Sequence, residues 1–301
     1  MKRHSLPLRA TLCAATLGAA LGPMASANAE PIVGLTTTNA LLTFDHTAPT
    51  NASALAPITG LQGANERILS IDLRPTTGVL YGVSTDDKIY SLTLGGAASF
   101  IGVLSTPLGS DVIGLDFNPV ADLGGAASLR VVSSTGQNLA FNVVAGMTTV
   151  QSPIQANFAS VAYSNNDVDP ATGTALYYID MADDTLKVAT AAFNMPTITT
   201  VGALGFNANG VNGFDISGTG RSFAAMTDAN TGKSGLYGIN LGTGAATFLG
   251  EFGIGGNTAI APPLLGLTVA AIPEPETYAL MLGGLLAMGA MARRRSARAK
   301  A

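Results

Sequence analysis

Short runs of apolar and β-branched residues alternate with clusters of Gly, Asp, Asn and Thr throughout residues 30–272, and no segment there keeps a helical period. Such runs predict β-strands joined by tight turns. The stretch from Ile68 to Leu104 divides into four of them, at residues 68–73, 79–84, 88–94 and 99–104. The residues between these runs tolerate turn dihedral angles. The pattern therefore predicts a unit of four consecutive β-strands.

The same order of strands recurs, with units opening at residues 68, 112, 158 and 211, so the spacings are 44, 46 and 53 residues. Repeats of roughly 40–50 residues are typical of β-propeller blades. Residues 32–60 supply three strands but lack the first strand of a unit. Residues 264–270 supply such a first strand, with no second, third or fourth strand after it. Joined together, they would form a fifth, composite blade that closes the ring.

The predicted fold is therefore all-β: a five-bladed β-propeller over residues 30–271, closed by its N- and C-terminal strands. A β-sandwich or a β-helix also fits repeated four-stranded units. An insertion around Asn165 and Asn166 in the third unit leaves the blade boundaries between Phe158 and Gly210 undefined.

Residues 1–29 have the three parts of a secretory signal peptide. Lys2, Arg3 and Arg9 give a positive start, and residues 10–21 form an apolar stretch. Ala27 and Ala29 then provide the small-x-small pattern that a signal peptidase recognises. We expect export through the Sec translocon and a mature N-terminus at Glu30. The only cysteine, Cys13, lies inside this segment, so the mature chain has no disulfide.

Residues 272–301 form a second three-part unit. Pro273-Glu274-Pro275 is followed by 15 apolar residues at 278–292 and then by Arg293-Arg294-Arg295. As a helix, the apolar run would be about 22 Å long, which is short for a membrane span. The arginines would stay on the cytoplasmic side. These features predict a hydrophobic transmembrane helix that anchors the chain transiently.

The string PEPETYALMLGGLLAMGAMARRR also closely resembles the PEP-CTERM sorting signal. That resemblance implies recognition and removal of the tail by an exosortase. It also implies a Gram-negative bacterium that makes exopolysaccharide and biofilm, with the protein at the cell surface or secreted.

The core resembles the domain of unknown function 4394 family. The likeness extends over residues 32–270 and rests on the strings VAYSNND, TALYYID, DTLKV, TTVGALGF, VNGFDI and GLYGINLGTGAATFLG. It implies a propeller-like fold and no established activity.

Charge and composition remove several classes of function. Hydrophobic residues make up 47% of the chain, which excludes disorder over its whole length. Residues 30–272 hold seven basic and 17 acidic residues, a net charge of −10. Nucleic-acid binding needs a basic surface and is therefore excluded. With His46 as the only histidine left after cleavage, zinc or copper sites built on several His or Cys ligands are excluded as well.

No catalytic residue is predicted. His46 follows Phe44-Asp45 at the end of a predicted strand, so we expect a solvated turn histidine rather than a catalytic base.

Other candidate residues are assigned to the fold. The pairs Asp167/Asp169 and Asp183/Asp184 are expected to lie in turns. Tyr81, Tyr177 and Tyr237 recur at one repeat position, which indicates packing between blades.

Three aspartates occupy equivalent places in the opening strands, where a propeller lines its central channel: Asp72, Asp116 and Asp215. Thr268 is the equivalent residue in the closing strand, and the third unit offers Asp167 or Ala162. Converging carboxylates could bind calcium, which prefers oxygen ligands. The favoured interpretation is that each aspartate accepts backbone N–H bonds at its own strand end, so no cofactor is predicted and calcium is kept as a hypothesis.

The sequence thus predicts an exported, non-enzymatic binding or structural module at the cell surface, with an exopolysaccharide or a matrix protein as its partner. One alternative is a calcium-dependent enzyme that acts on extracellular glycans or lactones. Another is a purely structural surface protein without a defined ligand.

Overall fold

The computed structural model describes residues 29–270, apart from 168, 170 and 257. Nearly all of residues 1–29 and the whole of 272–301, predicted to be the signal peptide and the sorting tail, lie outside this range. Within the described residues, no helix has the length and apolar character needed to cross a membrane.

Five four-stranded antiparallel sheets form the blades of a propeller, as predicted. The chain starts with three strands, β1 (Pro31–Thr36), β2 (Ala40–Asp45) and β3 (Ala56–Pro57), with a 3-10 helix at Pro49–Asn51. Blade 1 contains β4 (Ile68–Leu73), β5 (Leu80–Ser84), β6 (Lys88–Leu92) and β7 (Ala98–Val103). Blade 2 contains β8 (Ile113–Phe117), β9 (Ser128–Ser133), β10 (Asn138–Asn142) and β11 (Met147–Val150), with helix α1 (Pro119–Leu123) after β8.

Blade 3 contains β12 (Phe158–Tyr163), β13 (Leu176–Asp180), β14 (Thr185–Ala189) and β15 (Thr199–Ala203). Blade 4 contains β16 (Ala208–Ile216), β17 (Ser222–Asp228), β18 (Ser234–Ile239) and β19 (Ala246–Glu251). A small two-stranded ribbon follows, made of β20 (Gly253–Ile254) and β21 (Ala259–Ile260), and then the last strand, β22 (Leu264–Val269).

The ring is closed by the composite blade that the sequence predicted. Strand β22 pairs antiparallel with β1, in a register that places Val269 opposite Ile32 and Leu267 opposite Gly34. The closing blade therefore has the strand order β22-β1-β2-β3, with β22 innermost. Strands from the two ends of the described chain are held together by backbone hydrogen bonds.

Most predicted strands differ from the observed ones by one or two residues, and the larger difference is in blade 4. There β16 begins at Ala208 rather than at 211, and its pairing with β17 shifts register twice before Phe214. In blade 3, the insertion around Asn165 and Asn166 forms the loop between β12 and β13.

Apolar side chains fill the space between neighbouring blades. The Tyr81 ring in blade 1 lies edge-on to Phe117 of blade 2, with 5.2 Å between ring centroids. The Tyr237 ring in blade 4 stacks on Phe206, in the chain leading from blade 3, at 4.8 Å. Tyr177 is partly buried against the cluster that includes Tyr237. These contacts agree with the predicted role of the three tyrosines in packing between blades.

Small residues allow the five innermost strands to approach one another closely. A Cβ atom on Gly114 of β8 would lie 2.6 Å from the backbone nitrogen of Val161 in β12. A Cβ atom on Gly213 of β16 would lie 2.5 Å from the nitrogen of Leu267 in β22. Both distances are too short for a side chain. The centre of the propeller is therefore packed tightly at this level, two residues before the aspartate position of each repeat.

Candidate functional site

Three aspartate side chains from different blades meet at the centre of the propeller. Asp72, Asp116 and Asp215 occupy the predicted equivalent positions on β4, β8 and β16. Each offers a carboxylate oxygen to a group whose atoms all lie within 4.8 Å of one another. All three residues are only 1–2% exposed. The structure thus brings together the set that the repeat alignment selected.

Each carboxylate accepts a backbone N–H bond from the next blade. In that next blade, the donor is always the residue directly after the position equivalent to the aspartate. The N–H of Phe117 donates to Asp72 at 2.7 Å, that of Tyr163 to Asp116 at 2.6 Å, and that of Val269 to Asp215 at 2.6 Å. The favoured interpretation, bonds at each aspartate's own strand end, is therefore wrong for Asp116. It is incomplete for Asp72, which also interacts with the Leu73 N–H, and for Asp215, which also accepts the Ile216 N–H. The aspartates connect neighbouring blades, which a strand-by-strand view of the sequence does not reveal.

Thr268 completes this pattern in the closing blade. Its hydroxyl accepts the backbone N–H of Leu73 in blade 1 at 3.2 Å. The same oxygen lies 2.8 Å from Asp72 Oδ1 and 3.0 Å from Asp215 Oδ2. A hydroxyl has one proton to donate, so it can satisfy only one of these two carboxylates at a time.

Blade 3 interrupts the pattern because Ala162 has no acceptor. By the same pattern, an acceptor at position 162 would bind the N–H of Ile216 in blade 4. That N–H bonds instead to Asp215 Oδ1 of its own strand at 2.6 Å. Asp167, the other candidate from this unit, lies outside the cluster. It accepts hydrogen bonds from the Asp169 N–H and the Thr172 hydroxyl in a turn, as was expected of this loop.

Burial and mutual repulsion make the ionised cluster costly. Burial, followed by the charge of Asp215, raises the pKa of Asp72 well above its usual value. Burial, followed by the charges of Asp72 and Asp215, does the same to the pKa of Asp116. Burial raises the pKa of Asp215 to about 6. Three such groups cannot all be ionised unless a positive charge compensates them.

A cavity of about 590 Å³ opens directly beside the cluster. Leu73 and Val269, which follow Asp72 and Thr268 in sequence, line it together with Ala270. Its wall is mostly apolar, with further side chains contributed by Val33, Val79, Leu80, Leu92 and Leu94. Most of the lining belongs to blade 1, and Asn166, Gly218 and Ala270 follow the inner strands of three other blades, so the cavity lies on the blade 1 side of one end of the propeller axis.

Two polar side chains border this axial cavity. The Arg74 guanidinium is 2.7 Å from Asp122 of helix α1, so its charge is paired. Asn166 is contributed by the blade 3 insertion, and its Oδ1 atom is buried without a hydrogen-bond partner among the described residues. Neither the cavity nor these two residues were predicted from the sequence. The signals for them were the insertion at Asn166 and the position of Arg74, two residues after Asp72.

His46 is not the solvated turn histidine that the sequence predicted. Its side chain is 12% exposed, and its ring packs against Phe223 at a centroid distance of 5.0 Å. The Nδ1 atom accepts the backbone N–H of Glu30 at 2.9 Å. The prediction was wrong because Glu30 continues the pairing of β1 with β2 beside His46 and Phe223 of β17 covers the ring, which residues near position 46 do not indicate. His46 therefore helps to fix the start of the described chain.

Replacing Thr268 with valine tests how much the shared hydroxyl stabilises the ring. Valine has nearly the same shape, so the change removes hydrogen bonds without opening a cavity. We expect Thr268→Val to lower the free energy of unfolding by about 2–4 kcal/mol, because the Leu73 N–H and a buried carboxylate lose their partner. Urea unfolding followed by circular dichroism measures the loss. The exposed Thr199→Val on β15 is the control and should change stability by less than about 0.5 kcal/mol; equal losses would contradict this account.

Comparison with known proteins agrees with both resemblances stated above. Residues 40–261 match the family described as Domain of unknown function (DUF4394), and residues 271–295 match the PEP-CTERM protein-sorting motif. No curated protein matches the chain.

Among solved structures, a protein of unknown function from Bacteroides thetaiotaomicron is 12% identical, with a TM-score of 0.48 over 83% of this chain and 69% of that one. A protein from Lactobacillus plantarum is 17% identical, with a TM-score of 0.40 over 78% and 70% of the two chains. Kuenenia stuttgartiensis hydrazine synthase is 10% identical, with a TM-score of 0.41 over 63% of this chain. The match spans about half, 51%, of the hydrazine synthase chain.

Proposed function

The chain belongs to the DUF4394 family, and from this membership and its sorting motif we propose that it is a non-enzymatic binding module of the extracellular matrix. The PEP-CTERM motif marks the protein for export across the inner membrane and for processing by an exosortase, which leaves it at the cell surface or secreted. The propeller is the part that remains outside the cell and is available to bind a partner.

The observation that carries this proposal is the axial cavity. Clefts of about 300–1,000 Å³ with mostly apolar walls and a few polar groups are typical of ligand sites. The cavity of about 590 Å³ falls in this range, with Arg74 and Asn166 as its polar groups. Loops from several blades surround it, and loops of this kind carry function on a rigid scaffold.

The chemistry of the wall favours a protein ligand over a polysaccharide. Sugars are commonly held against aromatic faces, whereas the cavity wall is made of aliphatic side chains such as Leu73, Val79 and Leu94. The net charge of −10 on residues 30–272 would attract a basic partner. The proposed ligand is therefore an apolar segment of a basic matrix protein.

The alternative, a calcium-dependent enzyme for glycans or lactones, has less support from the geometry. Its catalytic groups would be Asp72, Asp116 and Asp215, which are only 1–2% exposed. One oxygen of each carboxylate is engaged by the backbone of a neighbouring strand, and a general acid or base must reach within hydrogen-bond distance of its substrate. Buried carboxylates in this arrangement suit a structural role better than a catalytic one.

Filling the axial cavity tests the proposal. Ser99 lies on β7 and lines the cavity, so Ser99→Trp would occupy it with an indole ring. We expect this variant to be exported normally, but its binding to matrix isolated from a strain lacking the protein should weaken at least tenfold. Thr199→Trp, on the corresponding outer strand of blade 3, is the matched control and should bind like wild type.

The same assay can reject the proposal. Equal binding by both tryptophan variants and the wild type would exclude the axial cavity as the binding site. If protease treatment of the matrix leaves binding intact and glycan digestion removes it, the ligand is a polysaccharide and the assignment to a protein is wrong.

A further inference from the structure

We propose that the three axial carboxylates bind one calcium ion at the centre of the propeller, with the Thr268 hydroxyl as a neutral oxygen beside it. This inference is independent of the ligand of the axial cavity. It concerns residues on the described strands β4, β8, β16 and β22.

The geometry of the cluster suits a calcium ion. Calcium binds oxygen ligands at 2.3–2.6 Å, so two ligands on opposite sides of one ion are separated by about 5 Å. The carboxylate oxygens of Asp72, Asp116 and Asp215 lie within 4.8 Å of one another. One ion placed between them would be within bonding distance of all three after small side-chain adjustments.

An unpartnered oxygen provides a second, separate indication. Asp116 is 1% exposed, and its Oδ2 atom is held by the Tyr163 N–H. Its Oδ1 atom is buried and accepts no hydrogen bond from an N–H or hydroxyl group of the described residues. Buried polar atoms nearly always have a partner, and an ion between the carboxylates would supply the one that Oδ1 lacks.

The donors around the cluster do not neutralise its charge. Apart from a contact between the Asp116 and Asp72 carboxyl groups, which carry the same charge, the hydrogen bonds to the three carboxyl groups come from neutral backbone N–H groups and from the neutral Thr268 hydroxyl. Three ionised carboxylates would leave a buried charge of about −3, which is very unfavourable without a counterion. A divalent cation would reduce that charge and supply the partner that Asp116 Oδ1 lacks.

The arrangement favours calcium over magnesium. Magnesium demands near-octahedral geometry at 2.0–2.1 Å, whereas calcium accepts longer and less regular contacts. Here each carboxylate is fixed by an N–H of the next blade and cannot move far. A bound calcium ion would connect blades 1, 2 and 4 at the axis, where Ala162 leaves blade 3 without an acceptor.

The test uses the purified full-length chain, stripped with a chelator and then given calcium chloride alone. We expect about one calcium ion per chain by equilibrium dialysis and a rise in Tm of about 5–10 °C at a calcium concentration 100 times the Kd. Magnesium chloride at the same concentration should produce a clearly smaller rise.

Asp116→Asn is the decisive variant. Its amide oxygen can still accept the Tyr163 N–H, while its NH₂ group can donate to a neighbouring carboxylate. We expect the metal-free variant to fold, with a Tm equal to or above that of the metal-free wild type, and to lose the calcium response. Asp111→Asn is the matched control, because that side chain is exposed and near Arg67, and it should keep wild-type calcium binding.

Three outcomes would overturn the proposal. Wild-type protein that binds no calcium would show that the cluster is neutralised by protons instead. Equal calcium binding by wild type and Asp116→Asn would place the ion elsewhere. Equal Tm shifts with magnesium and calcium would overturn the assignment to calcium.

Discussion

A chain that ends at Pro263 is expected not to fold. This truncation removes β22, which forms the inner strand of the closing blade. Leu264, Leu267 and Val269 are each at most 3% exposed, and burying such a side chain contributes about 1.5–3 kcal/mol. The loss of about 5–8 kcal/mol of apolar burial, together with the hydrogen bonds to β1, is comparable to the whole stability of an ordinary domain.

Circular dichroism and size-exclusion chromatography would reveal the unfolded or aggregated product. The control is a chain that ends at Ala270, which loses the sorting tail but keeps β22 and should fold. A folded, monomeric chain ending at Pro263 would mean that closure of the ring contributes little to stability.

Gly114→Ala is expected to have the second-largest effect, a loss of about 3 kcal/mol in the free energy of unfolding. The added Cβ atom would lie 2.6 Å from the nitrogen of Val161 and 2.9 Å from the Cα of Ser160. Both are backbone atoms of the neighbouring inner strand, so the contact cannot be relieved by a change of rotamer. Overpacking of a rigid core costs about 1–3 kcal/mol, and a clash with backbone belongs at the upper end.

The matched control for this substitution is Gly95→Ala, in the turn between β6 and β7. A Cβ atom there would meet only the Thr93 hydroxyl, at 3.8 Å. Its effect on urea unfolding should stay within about 0.5 kcal/mol. Similar losses at Gly114 and Gly95 would mean that close packing around the axis does not limit stability.

The blades could be predicted from the sequence because the information for them is local. Strand propensity, turn residues and the repeat spacing all lie within one unit, as in residues 68–104. Even the composite blade followed from local signals, since one end of the core lacked an opening strand and the other end had one left over. The start of β16 was missed by three residues because its pairing with β17 is irregular near Val211.

The axial cluster was predicted in part. Alignment of the repeats selected Asp72, Asp116, Asp215 and Thr268, since equivalent positions of a ring must meet at its axis. The predicted bonds at each aspartate's own strand end were wrong for Asp116 and incomplete for Asp72 and Asp215, because the N–H groups of the next blade were missed. Which backbone N–H reaches a carboxylate depends on the offset between neighbouring inner strands, and no pattern within one strand specifies that offset.

The sequence by itself determined the sorting motif, the repeat and the number of blades, because each depends on residues that are close together in the chain. Only the tertiary structure decided how the blades are connected at the axis, where the axial cavity opens, and that His46 is covered rather than solvated. These features join residues as distant as Leu73 and Thr268, and such contacts are fixed by the packing of whole strands.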